Sequence, residues 1–354
     1  MTSPLLEINN LSVLFPSTSD EHAIPAIKNI SFSLNQEETL GIIGESGSGK
    51  SVTLLSLLGL INADPGIVSG SIVVTKDQNK INLLENIEQY IFYENNSIKI
   101  NNLSKWKQQR ELLYKDIRGS EISMIFQNPK LAFNPFYSIG SQINEMIRLH
   151  TATKNKNDAK KVAIEWLSKV KMEAPAIRYN NNPYGLSGGM CQRAMIAMAL
   201  ASQPSILIAD EPTTGLDATI QSNIVDLLSS IKKDSEVSMI VVSHDFNVMR
   251  ELTDRVIVYY KGRIIEEGLT KNIFNEKRKN IHPYTKRLLE ANLQGFTDSS
   301  SLPETNISRH TGCDFYDMCP SKEENFKNLC RYETPAFTNV SDQHRIRCWR
   351  YKNG

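Results

Sequence analysis

No apolar run in the sequence is long enough to cross a bilayer: Ile206 to Ala209 and Met239 to Val242, its most apolar stretches, fall far short of the roughly 20 residues required. There is no excess charge of either sign. Lys and Arg number 40 against 39 Asp and Glu, so no single-sign field is available to hold nucleic-acid phosphates or an anionic membrane surface. The opening MTSPLLEINN has neither the basic start nor the apolar stretch of a secretory signal, and a cytoplasmic setting is expected. Cysteine is scarce, five in 354 residues, with no close C-x-x-C pair. In a reducing compartment this favours metal binding or plain burial over a disulfide framework. No internal repeat is visible.

What is present is an alternation of short strands and helices. Ser31 to Leu34 and Thr39 to Ile43 read as strands separated by the turn-prone segments Pro16 to Asp20 and Asn35 to Glu38. A glycine-rich loop follows, then a mostly buried helix carrying Val52, Leu54, Leu55, Leu57 and Leu58, which stops near Pro65 and Gly66. Residues 76–118, rich in Asn, Lys, Gln and Glu, read as a solvated excursion with some helix from Leu103 to Ile117. Amphipathic spacing predicts helices over Asp158 to Met172 and Gly189 to Ser202. The runs Ile206–Ala209 and Met239–Val242, with a helix around Ile220 to Lys232 between them, indicate a parallel α/β unit. Residues 292–312, with Ser299, Ser300, Ser301 and Pro303, read as a linker to a short cysteine-bearing tail.

Gly44-Glu45-Ser46-Gly47-Ser48-Gly49-Lys50-Ser51 fits G-x-x-x-x-G-K-[ST] and lies between a predicted strand and a predicted helix. Such a loop wraps backbone amides around phosphate oxygens, adds the positive end of a helix dipole, and supplies Lys50 to the terminal phosphates and Ser51 to Mg2+. The expected ligand is a nucleoside triphosphate. Ile206-Leu207-Ile208-Ala209-Asp210-Glu211 is an apolar strand ending in two carboxylates, costly to bury unless a cation or a reaction uses them. Asp210 is expected to hold Mg2+, directly or through water, and Glu211 to take a proton from the attacking water.

Leu186-Ser187-Gly188-Gly189-Met190 resembles the signature sequence of ATP-binding-cassette (ABC) ATPases, and its place between phosphate loop and carboxylate strand follows that family's order. The resemblance covers residues 5 to about 290. It implies an α/β fold, a P-loop NTPase cassette with a β-rich subdomain, a RecA-like parallel-sheet core and a helical signature subdomain. The cassette would span 5–268, with the helical part at about 128–200, followed by a C-terminal extension over 269–354. It implies that Gln127, also near the metal, links nucleotide to membrane subunits. Asp217 lies in a loop crossing a dimer interface, and His244 meets the terminal phosphate. Phe15 is either an adenine-stacking aromatic or a buried strand residue. The amides of Ser187, Gly188 and Gly189 would complete the ATP cage of a second cassette. Partners implied are that second cassette, the same or a paralogue, two transmembrane permeases and, indirectly, an extracytoplasmic binding protein. Nucleic acid is not expected, and the location implied is the cytoplasmic face of the cell membrane.

Within the family the chain is most similar to dipeptide and oligopeptide importer ATPases, through the phosphate loop, Ser123-Met124-Ile125-Phe126-Gln127, His282-Pro283-Tyr284-Thr285 and the cysteine tail. His282–Thr285 is read as lying outside the catalytic machinery. Nickel, heme precursors and antimicrobial peptides are cargo of related systems, and a soluble ABC protein acting on nucleic acid or ribosomes is the rival class. Cys313, Cys319, Cys330 and Cys348 are separated by five, ten and 17 residues. Four thiolates suit an iron-sulfur cluster or zinc. The resemblance implies a [4Fe-4S] cluster, with zinc and reduced thiols as alternatives. Cys191, where the importer family has arginine, reads as a small helix residue.

Overall fold

The structure, a computed structural model, describes residues 4–16, 23–63, 66–94, 97–275, 280–293, 311–321 and 326–352. The turn expected at 17–20, the stop at Pro65 and most of the serine-rich linker, 294–310, lie outside the described residues. Two sheets organise the chain. The first is antiparallel in the order β2-β1-β4-β5, from β1 (Leu6–Phe15), β2 (Ile24–Leu34), β4 (Gly66–Lys76) and β5 (Asn79–Asn82). In β1, Leu6, Ile8, Leu11 and Val13 are buried, the one-sided burial of a sheet that packs on one face.

The second sheet has eight strands in the order β13-β14-β12-β11-β3-β10-β9-β8. Its centre is parallel: β3 (Thr39–Ile43), β8 (Ile122–Ile125), β9 (Ile206–Asp210), β10 (Ser238–Val242) and β11 (Arg255–Tyr260). Every residue of β3, β8, β9 and β10 is buried, which is why they read as continuous apolar runs without alternation. β12 (Arg263–Leu269) turns back antiparallel to β11. β14 (His344–Ile346) then joins β12, and β13 (Thr338–Ser341) joins β14, so the C-terminal tail extends the same sheet.

The phosphate-loop helix α1 (Lys50–Leu57) follows β3. Between β8 and β9 run α3 (Pro129–Ala132), α4 (Ile139–His150), α5 (Lys156–Lys169), α6 (Pro175–Arg178) and α7 (Gly188–Leu200). Ile139, Ile143 and Ile147 of α4, like Ala159, Ala163 and Leu167 of α5, recur every four residues and are buried in one shared core. α8 (Ala218–Asp234) joins β9 to β10, and α9 (Phe246–Leu252) joins β10 to β11. α10 (Thr270–Ile273), α11 (Pro283–Leu293) and α12 (Lys327–Tyr332) complete the chain.

Over 76–118 the expected helix is present and most described residues are exposed or half-buried, but the segment is also anchored to the core, which its reading as a solvated excursion left out. This segment holds the hairpin β6 (Ile91–Glu94) and β7 (Ser97–Ile100), and α2 (Leu103–Tyr114). Leu83, Leu84, Ile87, Trp106, Tyr114 and Ile117 are buried in the core beneath the first sheet. The Tyr114 hydroxyl donates to the Ser56 carbonyl at 2.9 Å, and the guanidinium groups of Arg110 and Arg118 donate to the carbonyls of Ile61 and Leu58. These contacts satisfy carbonyls around and beyond the end of α1. Few anchors serve a largely polar helix here, so average composition concealed the packing.

Candidate nucleotide site and cysteine cavity

The loop between β3 and α1 is shaped by close backbone approaches. Gly44 has φ 153°, and a Cβ there would stand 2.5 Å from the Tyr259 carbonyl oxygen. Gly49, φ 106°, would meet the Ala26 carbonyl at 2.8 Å. Only glycine fits either position. A side chain on Gly47 would meet nothing within 4 Å. The Lys50 Nζ folds back and donates to the Gly44 and Glu45 carbonyls at 2.7 and 2.8 Å. Burial lowers its pKa, while Glu211, Asp210 and Glu45 act in the opposite sense. Asp210, buried at the end of β9, is pushed up by desolvation and partly relieved by a hydrogen bond with the Ser51 side chain. Buried Lys50 and Asp210 thus share one polar centre with the exposed Ser51.

Glu211 continues from Asp210 in the left-handed region, φ 47°, uncommon for a residue with a Cβ. Its N–H donates to the Val242 carbonyl at 2.9 Å. Its carboxylate Oε2 accepts from Gln127 Nε2 at 2.7 Å and from the Thr214 hydroxyl at 2.9 Å, and lies 3.7 Å from His244 Nδ1. The His244 imidazole holds the Glu211 carboxyl below its usual range, and the carboxylate raises the imidazole in return. The structure therefore brings Gln127, Glu211 and His244 together from three separate strand ends. Thr214 belongs to this group and was missed in the sequence, where a threonine in a turn carries no signal.

Ser187 caps α7, its Oγ accepting from the Met190 amide at 3.3 Å, and Asp217 caps α8, its Oδ1 accepting from Ile220 at 2.9 Å. Ser187 and Gly188 are exposed, and Gly189 packs so tightly on Ile220 that a Cβ would stand 2.6 Å from it. Among the described residues, no side-chain hydrogen bond joins Ser187 or Asp217 to the phosphate loop. Phe15 is half-buried at the end of β1, where it pairs with Ile24 and packs against the core beneath that sheet. Cys191 is buried in α7, its thiol donating to the Pro183 carbonyl.

The placing of His282–Thr285 away from the catalytic machinery is corrected. The Glu45 N–H donates to the Tyr284 hydroxyl at 3.0 Å, which puts the first turn of α11 directly on the phosphate loop. Nothing local in the sequence signals a contact between residues 239 positions apart.

On the far side of α11, Cys313, Cys319, Cys330 and Cys348 line one cavity of about 20 Å3, together with His282, Pro283 and Phe315. None of the five cysteines is in a disulfide. Burial pushes the Cys313 thiol up to about 12 and the Cys348 thiol up to about 11, with neighbouring cysteines adding to both. Among the described residues, no group of three or more His, Cys, Asp and Glu side chains is arranged to hold a metal ion. The four thiols expected as metal ligands are thus gathered but not in ligating geometry.

Residues 27–214 match the ABC transporter family. The dipeptide transport ATP-binding protein DppD of Escherichia coli (strain K12) is 37% identical over 351 residues, 97% of this chain and 96% of that protein. DppD of Bacillus subtilis (strain 168) is 36% identical over 351 residues, 98% of this chain and 94% of that protein. Among solved structures, a dimeric ATP-binding cassette in a post-hydrolysis state with ADP and Pi is 26% identical, with a TM-score of 0.57 over 75% of this chain and 98% of that one. With its phosphate loop and paired carboxylates placed as above, the chain belongs to the ABC transporter family and is an ATPase subunit of it.

Proposed function

We propose that this ATPase drives the uptake of dipeptides or oligopeptides through separate permease subunits. The observation that carries the proposal is similarity to dipeptide transport ATP-binding proteins along 97–98% of the chain. Among the described residues no helix is long and apolar enough to cross a membrane, in keeping with a subunit docked on permeases at the cytoplasmic face. A second cassette, identical or paralogous, would supply Ser187, Gly188, Gly189 and Asp217 opposite the first phosphate loop. The cassette proper is assigned to 5–268 and the extension to 269–354.

In this reading the amides of Gly44 to Ser51 and the Lys50 ammonium bind the phosphates, with Phe15 beside the adenine. Ser51, Asp210 and Gln127 would hold Mg2+, which neutralises phosphate charge when bound. Glu211 accepts the proton of the attacking water, and His244 and Gln127 fix its carboxylate while sensing the terminal phosphate. Lys50 must leave the Gly44 and Glu45 carbonyls to reach the nucleotide, a small rearrangement of a flexible side chain. Glu211→Gln in the assembled transporter should keep ATP binding and lower turnover by a factor on the order of 100 or more. Unchanged hydrolysis rejects Glu211 as the base. Failure of a dipeptide-loaded binding protein to stimulate the parent ATPase, where another cargo does, rejects peptide uptake.

For the tail, we propose that Cys313, Cys319, Cys330 and Cys348 hold a [4Fe-4S] cluster. Four thiols facing one cavity are the donor set such a cluster needs. Zinc is the second reading, and the cavity favours it: about 20 Å3 holds little more than one water-sized sphere, so a four-iron core requires the walls to part. The bound group would tie together strands of tail distant in sequence. Iron, sulfide and zinc analysis of anaerobically purified protein separates the two, and a folded protein free of all three rejects both.

A further inference from the structure

The segment that carries His282, Pro283 and Tyr284 stands between the phosphate loop and the cysteine cavity, and touches both. His282 begins it. Its ring is wholly buried, with Nδ1 accepting the Tyr284 N–H at 3.1 Å, and its backbone N–H donates to Glu266 Oε2 at 3.1 Å. The first turn of α11 is therefore fixed on a buried base. Tyr284 rises from that turn with 1% of its surface exposed. Its ring lies 4.5 Å from that of Tyr260 and meets Phe315 edge-on at 5.5 Å, while Phe315 also meets Tyr260 at 5.3 Å. Phe315 and Cys313 both line the cysteine cavity. The three rings form one packed cluster, and from it the Tyr284 hydroxyl accepts the N–H of Glu45 at 3.0 Å.

Glu45 is the second residue of the phosphate loop. Further along, the Gly262 N–H holds the Ser48 carbonyl at 2.9 Å and the Ser48 N–H the Glu45 carbonyl at 3.2 Å, while the Lys50 Nζ takes the Gly44 and Glu45 carbonyls but must release them to meet phosphate. The Tyr284 hydroxyl is under no such demand. It meets the loop from the α11 side, at the Glu45 N–H. Glu45 is half-buried and Tyr284 wholly so, and losing the hydroxyl would leave the Glu45 N–H to whatever water can reach it, at a cost of about 1 kcal/mol. The Glu45 carboxyl is half-buried close to Arg287 of α11 and to Lys50, so α11 borders the loop along more than one side chain.

We infer that Tyr284 is a positioning residue for the phosphate loop, and that the ring cluster of Tyr260 and Phe315 braces it from the cysteine side. Tyr284 touches no reacting atom. It acts through Glu45 by holding the loop in the shape that receives ATP, so its loss weakens binding more than it slows chemistry. The inference rests on the nucleotide-binding role proposed for this loop.

The test compares the full-length parent, Tyr284→Phe, Phe315→Leu and the double variant, with Lys50→Ala as control. Tyr284→Phe keeps the ring packing and removes only the hydroxyl. The Kd for a fluorescent ATP analogue should rise about fivefold, the size of one hydrogen bond lost. In the assembled transporter KM for ATP should rise by the same factor while kcat changes by less than about twofold, the signature of lost ground-state binding. Phe315→Leu should give a smaller rise in Kd, and the double variant should bind no more weakly than Tyr284→Phe, because both act through one contact. Unaltered Kd and KM in Tyr284→Phe overturn the inference, as does a fall in kcat with KM unchanged. If the parent fails to bind the analogue, or Lys50→Ala binds it equally well, the reading of the loop itself fails instead.

Discussion

The two sites on either side of α11 are built in opposite ways. The phosphate loop is eight consecutive residues whose work is done largely by backbone, and its glycines are fixed by collisions that a Cβ would cause at Gly44 and Gly49. The cysteine cavity is built from side chains scattered from 313 to 348, brought together because the tail adds β14 to the edge of the central sheet. The first site is a local property of sequence; the second exists only once a distant strand has docked. The cysteine cavity should therefore be the more easily undone of the two.

The largest expected effect tests that dependence directly. β14 is held by His344, whose Nε2 lies 2.8 Å from Glu266 Oε1, and both side chains are buried. Removing the imidazole leaves a carboxylate with no exposed surface and one partner fewer. His344→Ala should cost about 2 kcal/mol, the scale of taking one hydrogen-bond partner from a buried acceptor. Reaction with a thiol reagent should then reach Cys348 many times faster, while ATP affinity stays within about threefold, the cost of losing less than one hydrogen bond. Equal loss at both sites would show that tail and cassette rise and fall as one unit.

The same contrast explains what was legible beforehand. β3, β9, β10, α5 and α7 were read to within a few residues, because a buried parallel strand prints as a short continuous apolar run and a helix as apolar positions recurring every three or four residues. Lys50, Ser51, Asp210, Glu211, Gln127 and His244 were picked out by motif, and the structure draws them into one neighbourhood. Thr214 and Tyr284 were not assigned to it, since their roles rest on a turn and on a contact between residues 239 positions apart. The packing of Trp106 and Tyr114 was hidden for a related reason. Two buried aromatic anchors in a helix whose other residues are mostly polar do not disturb its average character, yet they help hold residues 76–118 against the core.

The two regions also answer pH differently, through one histidine each. At the phosphate site His244 is raised by Glu211, so their pairing is fully present between the unfolded values of 4.5 and 6.5, and fades as pH rises through the folded imidazole value. The His244 side chain is 56% exposed, and solvent limits the gain to a few tenths of a kcal/mol. Beside the cysteine cavity the sign reverses. Burial pushes His282 down to about 3, and its neutral ring accepts at Nδ1, so the folded protein refuses a proton that the unfolded chain takes below 6.5. Its contribution is complete above 6.5 and is lost as pH falls toward 3, on the order of 1 kcal/mol of it by pH 5.5. The cysteine thiols, raised above their unfolded value of 9.0, add nothing in this window. Calorimetric Tm at pH 8 and pH 5.5 should therefore fall more steeply in the parent than in His282→Asn, which keeps an acceptor near Nδ1. His244→Ala should make the fall slightly steeper still. Parallel slopes for the parent and His282→Asn would mean that the ring is not held neutral, and would remove the pH contrast between the two sites.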